Sequence, residues 1–426
     1  MVPFAGYEMP VQYADLGVGD SHRWTREKAS LFDVGHMVQH RLNGPGAASL
    51  LEQVTPAAVN LLETHNSTLS CLLHPVTGGI VDDCIITRLG PEAFYLVTNA
   101  ACRDKDTAYL KEHIDAWNAG EVGTHLTTGT SISSPESTKV DWEILNGWGL
   151  VALQGPASAN ILSSLLPDTD GSNDLSTLYF GQSRFLTLNH SPSSASTPFS
   201  NPVLVSRAGY TGEDGFELSI SPEDTVALTQ ALLEAGGKDQ LRLAGLGARD
   251  SLRLEAGMCL YGHDLDDSTT PVEASLAWLV PRSRRSLPEA GSAAGPGSGE
   301  GAGTFHGAET IIPQLMKISD GGTGVSRRRV GLLIEDGAPA REGAIIIAPG
   351  APETEQAGRI TSGVPSPSLG KNIAMGYVSK KPGWKVGTQV EVLVRGKRRK
   401  AEIVKMPFVQ SRFWKGQSVS GGTAPM

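Results

Sequence analysis

The chain has 426 residues, with 36 basic and 45 acidic side chains and a formal net charge of -9. That length suits two or three domains of about 100 to 200 residues each and excludes a small stapled module. The acidic balance makes nucleic acid a poor partner, four scattered cysteines exclude a disulfide framework and a Cys-x-x-Cys metal site, and no apolar run approaches the roughly 18 residues of a membrane span.

Taken in chain order, the first 280 residues mix helix and strand signals, so the fold class is α+β. Residues 93–98 read as a strand, and 103–117 as a helix with Leu110, Ile114 and Trp117 on one face. Residues 150–153, 202–206 and 216–220 are further strands, with a Ser/Pro-rich tract at 189–201 extending a surface hairpin loop. Ser221-Pro222-Glu223-Asp224 opens a second helix with a cap, a proline and two acids. Residues 245–255 form a third. Thr270-Pro271-Val272-Glu273 repeats the start signal with a capping-box glutamate, predicting a fourth.

The composition changes at 282–303, where Arg-Ser-Arg-Arg gives way to Gly, Ser, Ala and Pro; residues 281–308 are a linker or insertion. Beyond it, 309–426 carries six short strand patterns at 330–334, 344–347, 357–361, 373–378, 390–394 and 401–404, which suit a small β-barrel or sandwich. Residues 1–280, 281–308 and 309–426 are therefore the expected divisions.

Three segments could carry chemistry. In Gly78-Gly79-Ile80-Val81-Asp82-Asp83 adjacent carboxylates lie within a strand, so alternation sends them to opposite faces and at least one needs a partner or a task. An edge strand with solvated acids is the competing reading. In residues 207–217, Phe216, Leu218 and Ile220 alternate with Glu217, which stands opposite the apolar row. A carboxylate there can accept two parallel N–H bonds, as an amino-pyrimidinone edge offers, or simply be an exposed hairpin glutamate. In the 245–255 helix Arg249 and Arg253 share a face; Arg253 can simply pair with Asp250 on the surface, and the competing reading is that Arg249 projects into a cleft to clamp a planar or anionic ligand. His263 follows in a turn-rich tail and reads as a loop histidine.

These segments, with Phe4-Ala5-Gly6-Tyr7, Pro10-Val11-Gln12-Tyr13, Leu31-Phe32-Asp33-Val34-Gly35-His36-Met37, Leu153-Gln154-Gly155-Pro156, Thr361-Ser362-Gly363 and Met406-Pro407-Phe408-Val409, fall in one order along nearly the whole chain. The set resembles the aminomethyltransferases, the T-proteins of the glycine cleavage system. The resemblance implies a three-domain cloverleaf with a central folate channel and a C-terminal β-barrel. It implies transfer of the methylene carbon of an aminomethyl group from the lipoyl arm of a carrier protein, the H-protein, to tetrahydrofolate, with release of ammonia. Tetrahydrofolate is then the co-substrate, and no metal is implied. By residue, the resemblance assigns catalysis to Asp83 and folate contact to Glu217, Arg249, Tyr210, Asn99, Trp278, Arg412 and Phe413. It places the protein in the mitochondrial matrix if the source is eukaryotic and in the cytoplasm if bacterial.

Two other readings share the folate region. A non-catalytic folate-binding protein of iron–sulfur cluster assembly would carry a Lys-Gly-Cys-aromatic-x-Gly-Gln-Glu signature, where this chain has Gly257-Met258-Cys259-Leu260-Tyr261-Gly262-His263-Asp264. The folate domain of a dimethylglycine or sarcosine dehydrogenase would follow a dinucleotide fingerprint, and none precedes it here. For an acidic carrier, the basic runs at 395–400 and 282–285 are the expected docking points.

Overall fold

A computed structural model describes residues 1–120, 138–167, 174–192, 197–286, 305–335, 337–380 and 384–416. Most of the expected 282–303 insertion lies outside them. Among the described residues, two large open sheets and one closed barrel organise the fold, with a two-stranded ribbon of Val2–Phe4 and Tyr7–Met9 ahead of them. The first sheet has five strands in the order Ser67–Leu73, Ile80–Arg88, Ala93–Thr98, Val38–Asn43, Asp141–Ile144. The second has six, in the order Ser183–Leu186, Val203–Ser206, Gly215–Ile220, Gly149–Gln154, Ala29–Asp33, Leu241–Leu243. Only the last pairing in that sheet is parallel.

The two sheets interleave in sequence. Ala29–Asp33 lies in the second sheet and Val38–Asn43 in the first, and the chain returns from Asp141–Ile144 to Gly149–Gln154. Such short crossings hold the sheets together, and a shared core seals the junction: Phe32, Val34, Tyr95, Leu150, Ala152 and Leu252 pack as one cluster. The first sheet buries its other face under the helices Ala47–Val54 and Arg103–Asn118, the latter contributing Leu110, Ile114 and Trp117 as its spacing predicts. Phe216, Leu218 and Ile220 enter the core of the second sheet, leaving Glu217 and Ser219 on the opposite face. Ser219 Oγ donates to Gln39 Oε1 at 2.6 Å, so that face looks toward the first sheet.

All six expected C-terminal strands form, and they close into a barrel ordered Arg327–Ile334, Lys371–Ser379, Gln356–Ser366, Ile345–Ile347, Gln389–Val394, Lys397–Val404. Closure removes every free edge. The preceding helix Ala308–Leu315 packs instead with Leu73, Ile80 and Phe305 beside the first sheet. Within the 189–201 tract Asn189 is bridged to Pro198, and residues 193–196 lie outside the described residues.

The helix expected after Thr270 does not form. Its capping box is present, since Thr270 N–H donates to Glu273 Oε2 at 3.1 Å and Glu273 N–H to Thr270 Oγ1 at 3.3 Å. Ser275, however, has a φ of 59°, which ends the turn at once, and only the 3-10 turn Ala277–Leu279 follows. Its Ser275 Oγ donates to the Arg329 carbonyl at 2.9 Å, a tertiary bond that outcompetes local propensity.

Candidate active site

The Asp83 strand is set in place by two glycines. Gly78 has a φ of +65°, and a Cβ on Gly79 would stand 1.8 Å from the Asp267 carbonyl oxygen, so this turn admits no side chain there. The following strand then delivers Asp82 and Asp83. A register shift beside Leu72 disturbs simple alternation at this point, and the two carboxylates do not part company: both meet Asn99. Asn99 Nδ2 donates to Asp82 Oδ1 at 2.9 Å and to Asp83 Oδ1 at 2.9 Å, while Asn99 N–H donates to Asp82 Oδ2 at 2.8 Å. Asp82 is fully buried and Asp83 half-buried. Burial and the neighbouring charge of Asp82 push the Asp83 carboxyl up to about 7, against the pull of the Asn99 bond.

A second group comes from the second sheet and the helix Leu246–Glu255. The Arg249 guanidinium lies 4.8 Å from the centroid of the Tyr210 ring. Burial raises the Glu217 carboxyl, and the charge of Arg249 offsets part of that rise. Burial likewise lowers Arg249, opposed by Tyr210 and Glu217. The Tyr210 hydroxyl donates to the Cys259 carbonyl. Its own pKa is raised first by burial and further by the charge of Asp83, which places the two groups in one electrostatic neighbourhood.

The remaining candidates come from the C-terminal segment and from the turn Ala277–Leu279. Arg412 N–H donates to the Gly212 carbonyl at 2.8 Å, and its guanidinium stands 3.7 Å from Glu213 Oε2, so it clasps the glycine-rich loop that carries Tyr210. Phe413 stacks on Phe180 at 4.0 Å. Trp278 is 60% exposed, in a turn packed against the strand next to that of Asp83.

Several expectations need revision. Arg253 is buried rather than on the surface: besides Asp250 it donates to Asp264 Oδ2 at 2.7 Å and to Ser362 at 2.9 Å, tying the helix to the barrel. In the 282–285 run, Arg284 is buried against Glu52 at 3.1 Å, while Arg282 and Arg285 are exposed, Arg285 donating to the Val280 and Ala277 carbonyls. His263 is exposed and pairs with Glu342 at 2.8 Å, as a loop histidine does. Sequence reading also missed a cluster: Asp82, Cys102 and Asp106 bring one donor atom each within 4.8 Å of one another. Spacing in the chain could not reveal it, because Cys102 and Asp106 join Asp82 only through the fold.

The polar atoms show what this arrangement is prepared to receive. Among the described residues, no hydrogen-bond partner is present for the carboxylate of Glu217, for the guanidinium of Arg249 or for Asp83 Oδ2. The wall therefore offers two carboxylates and one guanidinium to something else, and an amino-pyrimidinone fits the acceptor that Glu217 presents.

Comparison with known proteins decides the family. The model described as the GCVT N-terminal domain matches residues 1–284, and the glycine cleavage T-protein C-terminal barrel domain matches 327–410. The chain belongs to the glycine cleavage T-protein family. It is 41% identical over 97% of its length, and 90% of the relative's, to the probable mitochondrial aminomethyltransferase of Schizosaccharomyces pombe. Identity is also 41% to the mitochondrial aminomethyltransferase of Pisum sativum, covering 97% of this chain and 87% of that one. The crystal structure of the glycine cleavage system aminomethyltransferase T from Bartonella henselae superposes with a TM-score of 0.75 at 34% identity, covering 97% of this chain and 95% of that one. This family's members are folate-dependent transferases, and the chain is an aminomethyltransferase of that kind; the non-catalytic alternative is not favoured.

Proposed function

We propose that the chain transfers the methylene carbon of a lipoyl-bound aminomethyl group to tetrahydrofolate, releasing ammonia and the dihydrolipoyl carrier, with Asp83 as the catalytic carboxylate. The observation that carries this reading is the set of half-buried polar groups for which the described residues offer no hydrogen-bond partner, Glu217, Arg249 and Asp83 Oδ2, gathered around Tyr210. Glu217 accepts the N–H donors of the pterin edge, and Arg249 with the Tyr210 ring beneath it forms a flat, positively charged wall. Asn99 fixes Asp83 by one oxygen and leaves the other free to hold or move a proton and to face developing positive charge at the transferred carbon. Folate supplies the nucleophilic nitrogens; the protein supplies orientation and one tunable carboxylate.

Arg412, Phe413 and Trp278 are proposed to line the approach to this site rather than its floor, because Arg412 and Trp278 are exposed and Phe413 is stacked on Phe180. The H-protein is the proposed partner. Its arm must enter from outside, and of the two basic runs the hairpin at 395–400 has Arg395, Lys397 and Lys400 exposed. Mitochondrial relatives in fungi and plants support the matrix as the place of action if the source is eukaryotic. The decisive assay is turnover of aminomethylated H-protein with tetrahydrofolate. Formation of methylenetetrahydrofolate by the native enzyme, and its loss in Asp83→Asn with folate binding retained, is the expected result; tight folate binding without turnover in the native enzyme would reject it.

A further inference from the structure

Behind Asp83 stands a buried layer that the reaction above does not use. Asp82 and Asp106 are both fully buried, and Cys102 nearly so. Asp106 lies in the first turn of the helix Arg103–Asn118, which starts just after Asn99. Both Asp82 oxygens are occupied by Asn99, one by its main-chain N–H and one by its side-chain amide. No hydrogen bond of good geometry reaches either oxygen of Asp106, although the Thr98 hydroxyl lies close enough to lower its carboxyl.

The groups facing this layer do not neutralise it. Asp83 and Cys84 approach from one strand, Cys71 from the next, Thr98 from a third, and Tyr261 and Asp267 from the loop above. Lys105 is the nearby cation, but its ammonium is held by Asp267 at 3.1 Å and sits over the Tyr261 ring. Two ionised carboxylates face to face in such a place repel one another and lack solvent. A carboxylic acid facing a carboxylate instead forms one short O–H···O bond and leaves a single charge.

We propose that Asp106 is a positioning residue: it carries a proton at neutral pH, donates it to Asp82, and so fixes the Asp82–Asn99 unit that holds Asp83. The proposal rests on Asp83 being the reacting carboxylate. Burial and the Asp82 charge raise Asp106 far above the ordinary carboxyl range, with Thr98 and Lys105 pulling weakly the other way. The chain of contacts then has a clear logic. One charge behind Asp83 keeps its carboxyl near neutrality, whereas two would hold it protonated and idle. The Asn99 amide, with acceptors on every side, is locked in the orientation that presents its N–H groups to both aspartates.

Two variants of the full-length enzyme separate this from a purely structural role. Asp106→Ala removes the proton that Asp82 shares and leaves it the two Asn99 N–H groups alone; in so buried a place Asp82 is driven to take up a proton itself, and the charge behind Asp83 is weakened. Turnover should fall about tenfold as Asn99 loosens, the Michaelis constant for tetrahydrofolate should hold, and the acidic limb of the turnover–pH profile should move to lower pH. Asp106→Asn offers an N–H in place of the acid and keeps Asp82 charged; it should restore most of the turnover lost in the alanine variant and return the limb to its native position. Infrared difference spectra supply a readout independent of activity: above the Asp83 carboxyl's own value of about 7, where Asp83 is ionised, the carbonyl stretch of a protonated carboxylic acid should persist in the native protein and be missing in Asp106→Asn. Absence of that band, an unmoved limb in the alanine variant, or a stoichiometric metal ion lost with Asp106→Asn would each overturn the proposal. Asp83→Asn is the separate control, since normal turnover there would sink the Asp83 assignment, whereas the infrared band tests the shared proton by itself.

Discussion

Asp83→Asn changes charge with little change of shape, which makes it informative in two ways at the scale of a single residue. Its carboxyl is pushed up to about 7, so the reactive carboxylate is gained as pH rises through neutrality. Native turnover should climb along a limb centred near that value, and the asparagine variant should lose about two orders of magnitude or more. Stability runs the other way. A raised carboxyl stabilises the folded state below the ordinary range of about 4, and that contribution is lost as pH rises through about 7. Thermal melts should therefore show Asp83→Asn gaining on the native protein between those two values, and a constant difference across that window would contradict the raised carboxyl. Glu217 acts by binding. Its carboxylate has no protein donor to lose, so Glu217→Ala should weaken tetrahydrofolate by about 1 to 3 kcal/mol without harm to the fold. Calorimetry showing native affinity would remove it from the site.

At the scale of elements, the Asp83 strand depends on a turn that only glycine can make. Gly79→Ala would drive a methyl against the Asp267 carbonyl, 1.8 Å from the ideal Cβ position. The strand or the 267–269 loop must yield, and Ile80 N–H donates to Thr269 at 3.0 Å across the same gap. We expect a loss of about 1 to 3 kcal/mol in chemical denaturation together with impaired turnover; a variant of native stability would show that the loop retreats freely. This turn was visible in the sequence as Gly-Gly before a β-rich run. So were the six barrel strands and the inward row Phe216, Leu218 and Ile220, because alternation and glycine punctuation are local signals. Tertiary bonds were not. The Thr270 capping box formed, yet Ser275 turned away to bond Arg329, and Arg253 left the surface for Asp264. The resemblance to a family, rather than periodicity, singled out Asp83; neither could show that Asn99 binds both aspartates or that Asp106 stands behind them.

Across the whole molecule, one buried carboxylate joins parts that lie far apart in sequence. Glu255 ends the helix that carries Arg249, accepts from His22 Nε2 at 3.0 Å and Arg26 Nη2 at 2.9 Å on the N-terminal helix Val18–Glu27, and accepts Ser366 and Ser368 hydroxyls at 2.5 and 2.7 Å from the barrel. Its own carbonyl receives the N–H groups of Phe408 and Val409, where the chain leaves the barrel for the folate region. Burial alone would raise this carboxyl, but the bonds and charge of His22 and the two serines draw it down to about 2. A lowered carboxyl contributes stability that is complete above its unfolded value of about 4.3 and is lost as pH falls through about 2. Glu255→Ala leaves Arg26 with Glu213 alone for a carboxylate, 2.9 Å away, and reduces the link between the barrel and the N-terminal helix to the contact of His22 Nε2 with Ser368 Oγ at 3.1 Å. Breaking a buried ion pair on one side costs roughly 3 to 5 kcal/mol. Because the barrel and the clasp formed by Arg412 meet the folate region around this carboxylate, unfolding should also lose cooperativity, with the barrel separating as its own transition. Calorimetric scans at neutral pH should show a single native endotherm dividing in the variant, and native protein titrated from about pH 4 toward 2 should follow the same course as Glu255 takes up its proton. A variant that melts at lower temperature but still as one unit would mean that the remaining contact of Arg253 with Asp264 and Ser362 couples barrel and helix without Glu255.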